Sequence, residues 1–346
     1  MPPASVQSDP ELLALPKAEL HLHLEGSIEP ATAVELAARH GIQITAAEVS
    51  ARYAPGNFAQ FIETFKWVTS FLRDPDDYAL VMERLGHTLA RQNVLYAEIT
   101  LSVGVMLRRD QDPAANLQAL RDAAAKIPAL QCKWIFDCVR QWGPAAAMEV
   151  ARHAAPLRSE GVIAFGMGGD ELSIPAAEFR APYDFAAAAG LHRLVHAGET
   201  GDPQSIIDAI GLLGAERIGH GIAAIRSERL MNSLAESGVP LEVCPTSNLR
   251  TGALCRQLGR PSALEADHPL PTLMRRGVRV TLGSDDPAMF ETSLTAEYEL
   301  AQRIGVKPGG IVRLAQSGFE CAFLEPPARQ ALLAKFQAAR KSAGLL

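Results

Sequence analysis

LHRLVHAGETGDPQSIIDAIGLLGAERIGHG, residues 191–221, contains two short strand-like runs separated by a helix-like segment. The runs are 191–197 and 216–220, and they belong to a set of candidate strands that are short, rich in Val, Ile and Leu and mostly apolar, as strands buried on both faces of a parallel sheet usually are. Residues 203–213 lie between them and have the pattern of a connecting helix. The stretch therefore predicts a β-α-β unit, in which the two strands run parallel.

The same alternation extends over the whole chain. Two parallel folds use it, the (β/α)8 TIM barrel and the doubly wound open sheet; we predict the barrel and keep the open sheet as the alternative. The 346 residues would form one domain, 1–346. The other predicted strands are 18–24, 94–101, 133–139, 162–167, 240–244 and 278–283, and further helices are predicted at 113–126 and 144–159.

One connection is much longer than the others. Residues 27–92, between the first two strands, are predicted to form a helical lid insertion with two or three helices, among them 31–40 and 58–72. The second of these has an apolar face, which would either pack on the barrel or also line a pocket. That face is formed by Phe58, Phe61, Phe65, Val68 and Phe71.

Composition limits the class of protein. Hydrophobic residues make up 48% of the chain and charged residues 21%, as in an ordinary globular enzyme, and the net charge of −6 argues against nucleic-acid binding. The five cysteines are scattered and form no CxxC pair, which suits a reducing compartment. We see neither a signal peptide nor a membrane-spanning stretch, so we expect a cytoplasmic protein without membrane partners. The sequence predicts no oligomeric state.

Polar side chains occur where several predicted strands end. In a TIM barrel these ends form the active-site face, and alternation along the first strand would turn His21 and His23 to the same side. Each short motif alone is a weak signal, but four strands deliver suitable residues to one rim. The others are His196 and Glu199 at the end of the fifth strand, His220 at the end of the sixth, and Asp285 and Asp286 at the end of the eighth.

Imidazoles together with a carboxylate favour a metal ion. Three neutral imidazoles and one carboxylate suit Zn²⁺ best, although Fe²⁺ or Co²⁺ would also fit. A metal with an open position lowers the pKa of a bound water to about 7, and the remaining acids and bases could move protons. No phosphate-binding loop and no serine or cysteine nucleophile motif is present in the sequence. The residues therefore indicate a metal-dependent hydrolase.

The motifs together resemble the adenosine deaminase family. They follow the family's order and cover nearly the whole chain, and the set is far more specific than any one member. They are HLHLEGS at 21–27, GDE at 169–171, HAGE at 196–199, GHG at 219–221, PTSN at 245–248 and SDDP at 284–287.

The resemblance implies a role for each matching position. His21, His23, His196 and Asp285 would bind one zinc ion, since the end of the fourth strand (166–170) lacks the lysine that bridges two metals. Glu199 would protonate purine N1 during attack on C6. His220 would orient and deprotonate the water and stabilise the attacking oxygen. Asp286 would hold the water and contact the ring, and the Gly169 N–H would contact purine N3. The implied reaction converts an adenine nucleoside to its 6-oxo purine and ammonia.

One departure from the family concerns the substrate. Adenosine enzymes of the family usually carry an Asp that helps hold the ribose 5′-hydroxyl where this chain has Glu25, so Glu25 is a candidate contact to the 5′ end. Relatives that deaminate free adenine have Glu there but usually lack the GDE that this chain keeps. The stretches 96–105 and 136–143 are similar to bacterial members that deaminate 6-amino-6-deoxyfutalosine in menaquinone synthesis. That nucleoside carries a carboxyphenyl ketone at its 5′ end. Candidates to meet its ring and its carboxylate are Phe58, Phe61, Phe65 and Arg140.

The alternatives are a deaminase of free adenine or a substituted purine, an amidase, and, much less favoured, a non-enzymatic metal-binding barrel. The expected partner in the leading hypothesis is a small purine nucleoside.

Overall fold

Eight parallel strands form a barrel in the order β1 to β8, as the sequence predicts. The computed structural model describes residues 9–54 and 56–342. Each predicted strand is confirmed with its ends shifted by two residues at most, and the open-sheet alternative is excluded. The strands are β1 Lys17–His23, β2 Val94–Leu101, β3 Gln131–Val139, β4 Val162–Gly168, β5 His192–Ala197, β6 Arg217–His220, β7 Leu241–Val243 and β8 Val280–Leu282.

The barrel closes between β1 and the residues that follow β8. Leu22 and Asp285 form a parallel bridge. The His23 N–H donates to the Asp285 carbonyl and the Asp285 N–H donates to the His21 carbonyl, each at 2.9 Å. Closure therefore fixes the first and last strands against each other at their carboxyl ends.

Helices surround the barrel, and local signals set their ends. Pro203 stands in the first turn of one helix, the Asp202 side chain accepts the Gln204 N–H at its start, and Gly214 ends it in the left-handed conformation. The helices are α1 Pro10–Ala14, α2 Pro30–Arg39, α3 Ala46–Tyr53, α4 Phe58–Thr69, α5 Pro75–Arg91, α6 Val103–Arg108, α7 Pro113–Ala125, α8 Gly143–Ala154, α9 Arg180–Ala188, α10 Pro203–Leu213, α11 Glu228–Ser237, α12 Pro245–Arg250, α13 Ala253–Leu258, α14 Leu270–Arg275, α15 Leu294–Arg303, α16 Pro308–Glu320 and α17 Pro326–Ser342. No helix in residues 9–54 or 56–342 is long and apolar enough to cross a membrane.

The long connection between β1 and β2 contains more helix than predicted. Its described residues form four α-helices, α2 to α5, where two or three were expected. The last of them, α5, packs against α7 and β2 and so belongs to the outer layer of the barrel. Helix α4 lies against the turn 25–27 that follows β1, which brings it to the carboxyl end of the barrel.

A buried ion-pair network crosses the barrel interior below that end. The Arg217 guanidinium lies 2.5 Å from a carboxylate oxygen of Glu98 and 2.5 Å from one of Glu242. It also donates to the Cys321 carbonyl at 3.0 Å and stacks over the Phe323 ring. All three charged side chains are at most 1% exposed. The strands, read as apolar throughout, thus carry charges that compensate one another inside the barrel.

We predict that Arg217→Met lowers the free energy of unfolding by about 3–5 kcal/mol, because two buried carboxylates lose their partner. Arg193→Met on β5 is the matched control, since the Arg193–Glu216 pair is partly exposed and contributes about 1 kcal/mol or less. Chemical denaturation of both variants measures the difference. Equal losses would contradict the importance assigned to the buried network.

Candidate active site

Four imidazole rings meet at the carboxyl end of the barrel. His21 and His23 lie on β1, two residues apart and therefore on one face, and His196 and His220 come from β5 and β6. The ring centroid of His21 lies 4.7 Å from that of His196 and 5.0 Å from that of His220. The structure thus brings together the four histidines that the sequence analysis singled out.

Two members of the cluster have unusual backbone conformations. His220 and Asp285 are non-glycine residues with φ of 62° and 61°. A side chain in the left-handed region costs on the order of 1 kcal/mol, and such strain concentrates at functional sites. Both residues stand where the chain leaves a strand, so the turn directs them to the cluster.

Three donor separations are close to those around a tetrahedral metal ion. Donors about 2.1 Å from one zinc ion would be about 3.4 Å apart in a tetrahedron. The Nε2 atom of His23 lies 3.3 Å from Nε2 of His196 and 3.4 Å from Oδ1 of Asp285. The Nε2 atom of His21 lies 3.5 Å from the same oxygen. These four residues, predicted as ligands from the sequence, could therefore share one metal ion.

The hydrogen bonds of the imidazoles also suit a metal. Glu242 accepts a hydrogen bond from His21 Nδ1 at 2.8 Å, and the Met167 carbonyl accepts one from His196 Nδ1 at 3.1 Å. Against the effect of burial, Asp285 and Glu242 raise the pKa of His21 well above its usual value, so a metal ion would replace a proton on His21 Nε2, which has no hydrogen-bond partner. Burial lowers the pKa of His23 to about 4, so this imidazole is neutral.

A second, overlapping set of donors includes His220. The ligand atoms of His21, His196, His220 and Asp285 all lie within 4.8 Å of one another. However, His220 Nε2 is 3.9 Å from Asp285 Oδ2, a longer separation than any edge measured in the first set. His220 also lies 3.9 Å from Glu199, so it stands between the cluster and this carboxylate.

Glu199 is held by a loop that another carboxylate organises. Glu171 accepts the backbone N–H groups of Gly198, Glu199 and Thr200 at 2.6–3.1 Å. The Glu199 side chain is 8% exposed and accepts a hydrogen bond from the Thr251 hydroxyl at 3.2 Å. Its carboxylate is therefore positioned from two sides.

Asp286 is buried beside the cluster with one oxygen free. Its Oδ1 atom has no hydrogen-bond partner, and burial together with the neighbouring Asp285 raises the pKa of this carboxyl well above its usual value. A Cβ added at Gly26 would lie 1.9 Å from that oxygen, so only glycine there leaves the carboxyl its place. Asp286 is thus available to a ligand.

One cavity of about 820 Å³, measured to its open mouth, connects these groups. Its lining combines the polar side chains of the cluster with apolar side chains from α4, from α6 and from the segments after β3 and β8. The polar lining residues include His23, His196, Glu199, His220, Asp285 and Asp286, and the apolar ones include Phe58, Phe61, Ile62, Phe65, Val105, Trp142 and Phe290. Gly169, with φ of 97°, also lines it.

Two predicted substrate contacts do not line this cavity. Glu25 is 2% exposed and its Oε1 accepts the Ser102 N–H at 2.9 Å, so it fixes a lining residue instead. Arg140 is 4% exposed and donates to the carbonyls of Ile174 and His196 at 3.3 and 3.4 Å. Arg140 is thus absent from the lining of the cavity, and its two hydrogen bonds go to backbone carbonyls.

Comparison with known proteins identifies the family of the chain. The sequence profile of the adenosine deaminase family matches residues 16–339. The chain belongs to the adenosine deaminase family. It is therefore a hydrolase of that family, which the sequence motifs had predicted.

Similar family members act on adenine-type compounds. The chain is 40% identical over 327 residues to an aminodeoxyfutalosine deaminase of Streptomyces coelicolor, covering 92% of this chain and 82% of the relative. It is 36% identical over 324 residues to an adenine deaminase of Agrobacterium fabrum, covering 92% and 97%. A Burkholderia ambifaria amidohydrolase with bound Zn superposes with a TM-score of 0.86 at 26% identity, covering 96% and 93%.

Sequence reasoning missed the residues that support the site. Glu242 and Glu171 hold His21 and the Glu199 loop, but no role was predicted for either. Glu171 belongs to the GDE motif, so the motif itself could have drawn attention to it. Glu242 lies 221 positions from His21, and only the barrel brings them together.

We predict that Glu242→Gln weakens zinc binding by about 10- to 100-fold, because His21 loses the carboxylate that orients its ring and strengthens its lone pair. Competition with a chelator measures the affinity. Glu98→Gln is the matched control, since Glu98 also pairs with Arg217 but does not contact a histidine. Equal loss of affinity in both variants would show that the network acts only through stability.

Proposed function

We propose that this adenosine-deaminase family member is a zinc-dependent deaminase of an adenine nucleoside with a large, partly aromatic 5′ substituent, such as 6-amino-6-deoxyfutalosine. The observation that carries the proposal is that one cavity is lined both by the metal cluster with its acids and by aromatic side chains of α4. The reaction adds water at C6, releases the amino group as ammonia and leaves a 6-oxo purine.

The polar side chains that line the cavity suit this chemistry. A metal held by His21, His23, His196 and Asp285 would supply a nucleophilic water at neutral pH. Attack on C6 breaks the ring's aromaticity and puts charge on N1, so an acid is needed at that atom, and we assign this task to Glu199. Asp286, whose Oδ1 has no partner, would contact the ring, and the Gly169 N–H would contact N3.

The aromatic side chains that line the cavity favour a nucleoside with a tail over a free base. Adenine would fill a small part of the cavity and leave the rings of Phe58, Phe61 and Phe65 in contact with water. Phe61 packs on Phe290 with centroids 5.0 Å apart, so α4 is joined to the loop after β8 and forms an apolar wall. An aromatic tail would bury itself against this wall.

The carboxylate of such a tail needs a cation. Arg140 is occupied by backbone carbonyls. Lys66, on the same helix as the phenylalanines, lines the cavity and pairs with the exposed Glu63. We therefore assign this contact to Lys66 in place of Arg140.

A deaminase of free adenine is the second candidate. Glu25 favours it, because adenine-specific relatives carry Glu at this position and its carboxylate is used internally to hold Ser102. The similarity to an adenine deaminase points the same way. The aromatic lining of the cavity and the retained GDE motif favour the nucleoside.

We predict that Glu199→Gln lowers kcat by about 100- to 10,000-fold while the metal content stays near that of the wild type, because the acid at N1 is lost and no ligand changes. Metal analysis and an absorbance assay of deamination measure both quantities. Glu236→Gln, an exposed position on α11, is the control. Retained activity in Glu199→Gln would remove Glu199 from the mechanism.

A panel of substrates tests the specificity. The zinc-loaded protein is assayed with adenosine, 2′-deoxyadenosine, 5′-deoxyadenosine, 5′-methylthioadenosine, aminodeoxyfutalosine and adenine. We expect the highest kcat/KM for aminodeoxyfutalosine, and about a tenfold loss for that substrate alone in Phe58→Ala, from the lost ring contact. Phe185→Ala, at the surface of α9, is the control. A kcat/KM for adenosine about a hundredfold above that for aminodeoxyfutalosine, or the highest kcat/KM for adenine, would contradict the proposed specificity.

A further inference from the structure

Behind His220, two buried side chains form a row of hydrogen bonds that the proposed mechanism has not used. His268 Nε2 lies 3.2 Å from Oδ1 of Asn248, and Asn248 Nδ2 lies 3.2 Å from Nδ1 of His220. Asn248 is on α12, and His268 precedes α14. The three residues are 4%, 0% and 2% exposed for His268, Asn248 and His220, so no solvent competes for these bonds.

A backbone group sets the direction of the row. The Leu270 N–H donates to His268 Nδ1 at 3.2 Å, and a backbone N–H can only donate. A neutral His268 must therefore carry its proton on Nε2 and donate it to the Asn248 oxygen. Burial lowers the pKa of His268 to about 3, so this imidazole is neutral.

The amide of Asn248 then decides which atom donates in the hydrogen bond to His220. Its oxygen accepts from His268, so its NH2 group faces His220 and donates to Nδ1. If the amide were rotated, its NH2 group would face the His268 N–H, and two donors would oppose each other without compensation in a buried place. His220 Nδ1 is consequently an acceptor, and in the neutral ring the proton is on Nε2.

The protonated Nε2 atom points into the active site. It lies 3.9 Å from Glu199 Oε2 and 3.9 Å from Asp285 Oδ2. An N–H group there can donate a hydrogen bond to an oxygen between them, but it has no lone pair to offer a metal. This explains why His220 stands outside the closer set of donors.

We propose that Asn248 and His268 are positioning residues that hold His220 in the tautomer with its proton on Nε2, so that His220 donates a hydrogen bond to the attacking oxygen and neither binds the metal nor acts as the base. This inference rests on the proposed deaminase function for the identity of that oxygen. The family resemblance implies that His220 both deprotonates the water and stabilises the attacking oxygen; with its proton held on Nε2, His220 can do only the second. Acceptance of that proton then falls to a carboxylate of the site.

The tautomer can be read without measuring activity. In the zinc-loaded protein labelled with ¹⁵N-histidine, long-range ¹H–¹⁵N correlation separates protonated from unprotonated ring nitrogens. The signals of His220 and His268 among the nine histidines are identified by their loss in His220→Gln and His268→Gln. We expect both rings to be protonated on Nε2 only. Protonation of His220 on Nδ1 would overturn the proposal, even if the enzyme were an active deaminase.

Asn248→Asp tests the consequence. Aspartate keeps the shape but only accepts hydrogen bonds, so it would draw the His220 proton to Nδ1. We expect kcat per bound metal to fall by about 100-fold or more, the effect of losing one preorganised donor, with KM within about threefold. The ¹⁵N spectrum should show a proton on Nδ1 of His220. Unchanged kcat, or an unchanged spectrum, would contradict the proposal.

Two further variants separate positioning from packing. Asn116→Asp on α7 buries the same new carboxylate at a residue 2% exposed and far from the cluster, and it should keep the wild-type kcat. His268→Gln can still donate to Asn248 and should retain more activity than His268→Leu, which cannot. Equal loss in both His268 variants would mean that the residue serves only to fill space.

Discussion

The hydrogen bonds between β1 and Asp285 close the barrel, and the rest of the site depends on them. They join the first strand of the chain to the residues after the last one, 2.9 Å apart at two backbone pairs. The same residues supply three of the proposed metal ligands, His21, His23 and Asp285. Closure of the fold and assembly of the metal site are therefore one event, and a chain that failed to close would have neither.

The barrel interior links that closure to a layer of charges. His21 is bonded to Glu242, Glu242 to Arg217, and Arg217 to Glu98. Arg217 holds the pKa of Glu242 below its usual value against the opposing effect of burial, so a carboxylate stays ionised next to a ligand imidazole. This chain of charged side chains thereby stabilises the fold, and Glu242 holds the His21 ring in an orientation that suits metal binding. On the opposite side, Asn248 and His268 set the proton of His220 through neutral groups.

Reaction and specificity use different parts of the fold. The acids and imidazoles stand at the ends of the strands, and the hydrogen bonds of the closed sheet fix the positions of those ends. The aromatic wall stands on α4, within a connection that the barrel does not need for closure. A change of helix or loop can therefore alter what the purine carries without disturbing the reacting atoms, which fits relatives of similar identity that act on different adenine compounds.

The sequence by itself determined the eight strands, to within two residues, and the rim on which the site stands. Period-two alternation and parallel strands with common carboxyl ends leave little freedom for His21, His23, His196 and Asp285. Only the tertiary structure decided what Glu25 and Arg140 contact, since both point to backbone groups that no local pattern reveals. It also decided the partners Glu242, Glu171 and His268. Their contacts form between separate barrel elements, with Glu242 and His21 221 positions apart, and hydrogen bonds across such separations leave no periodic trace in a sequence.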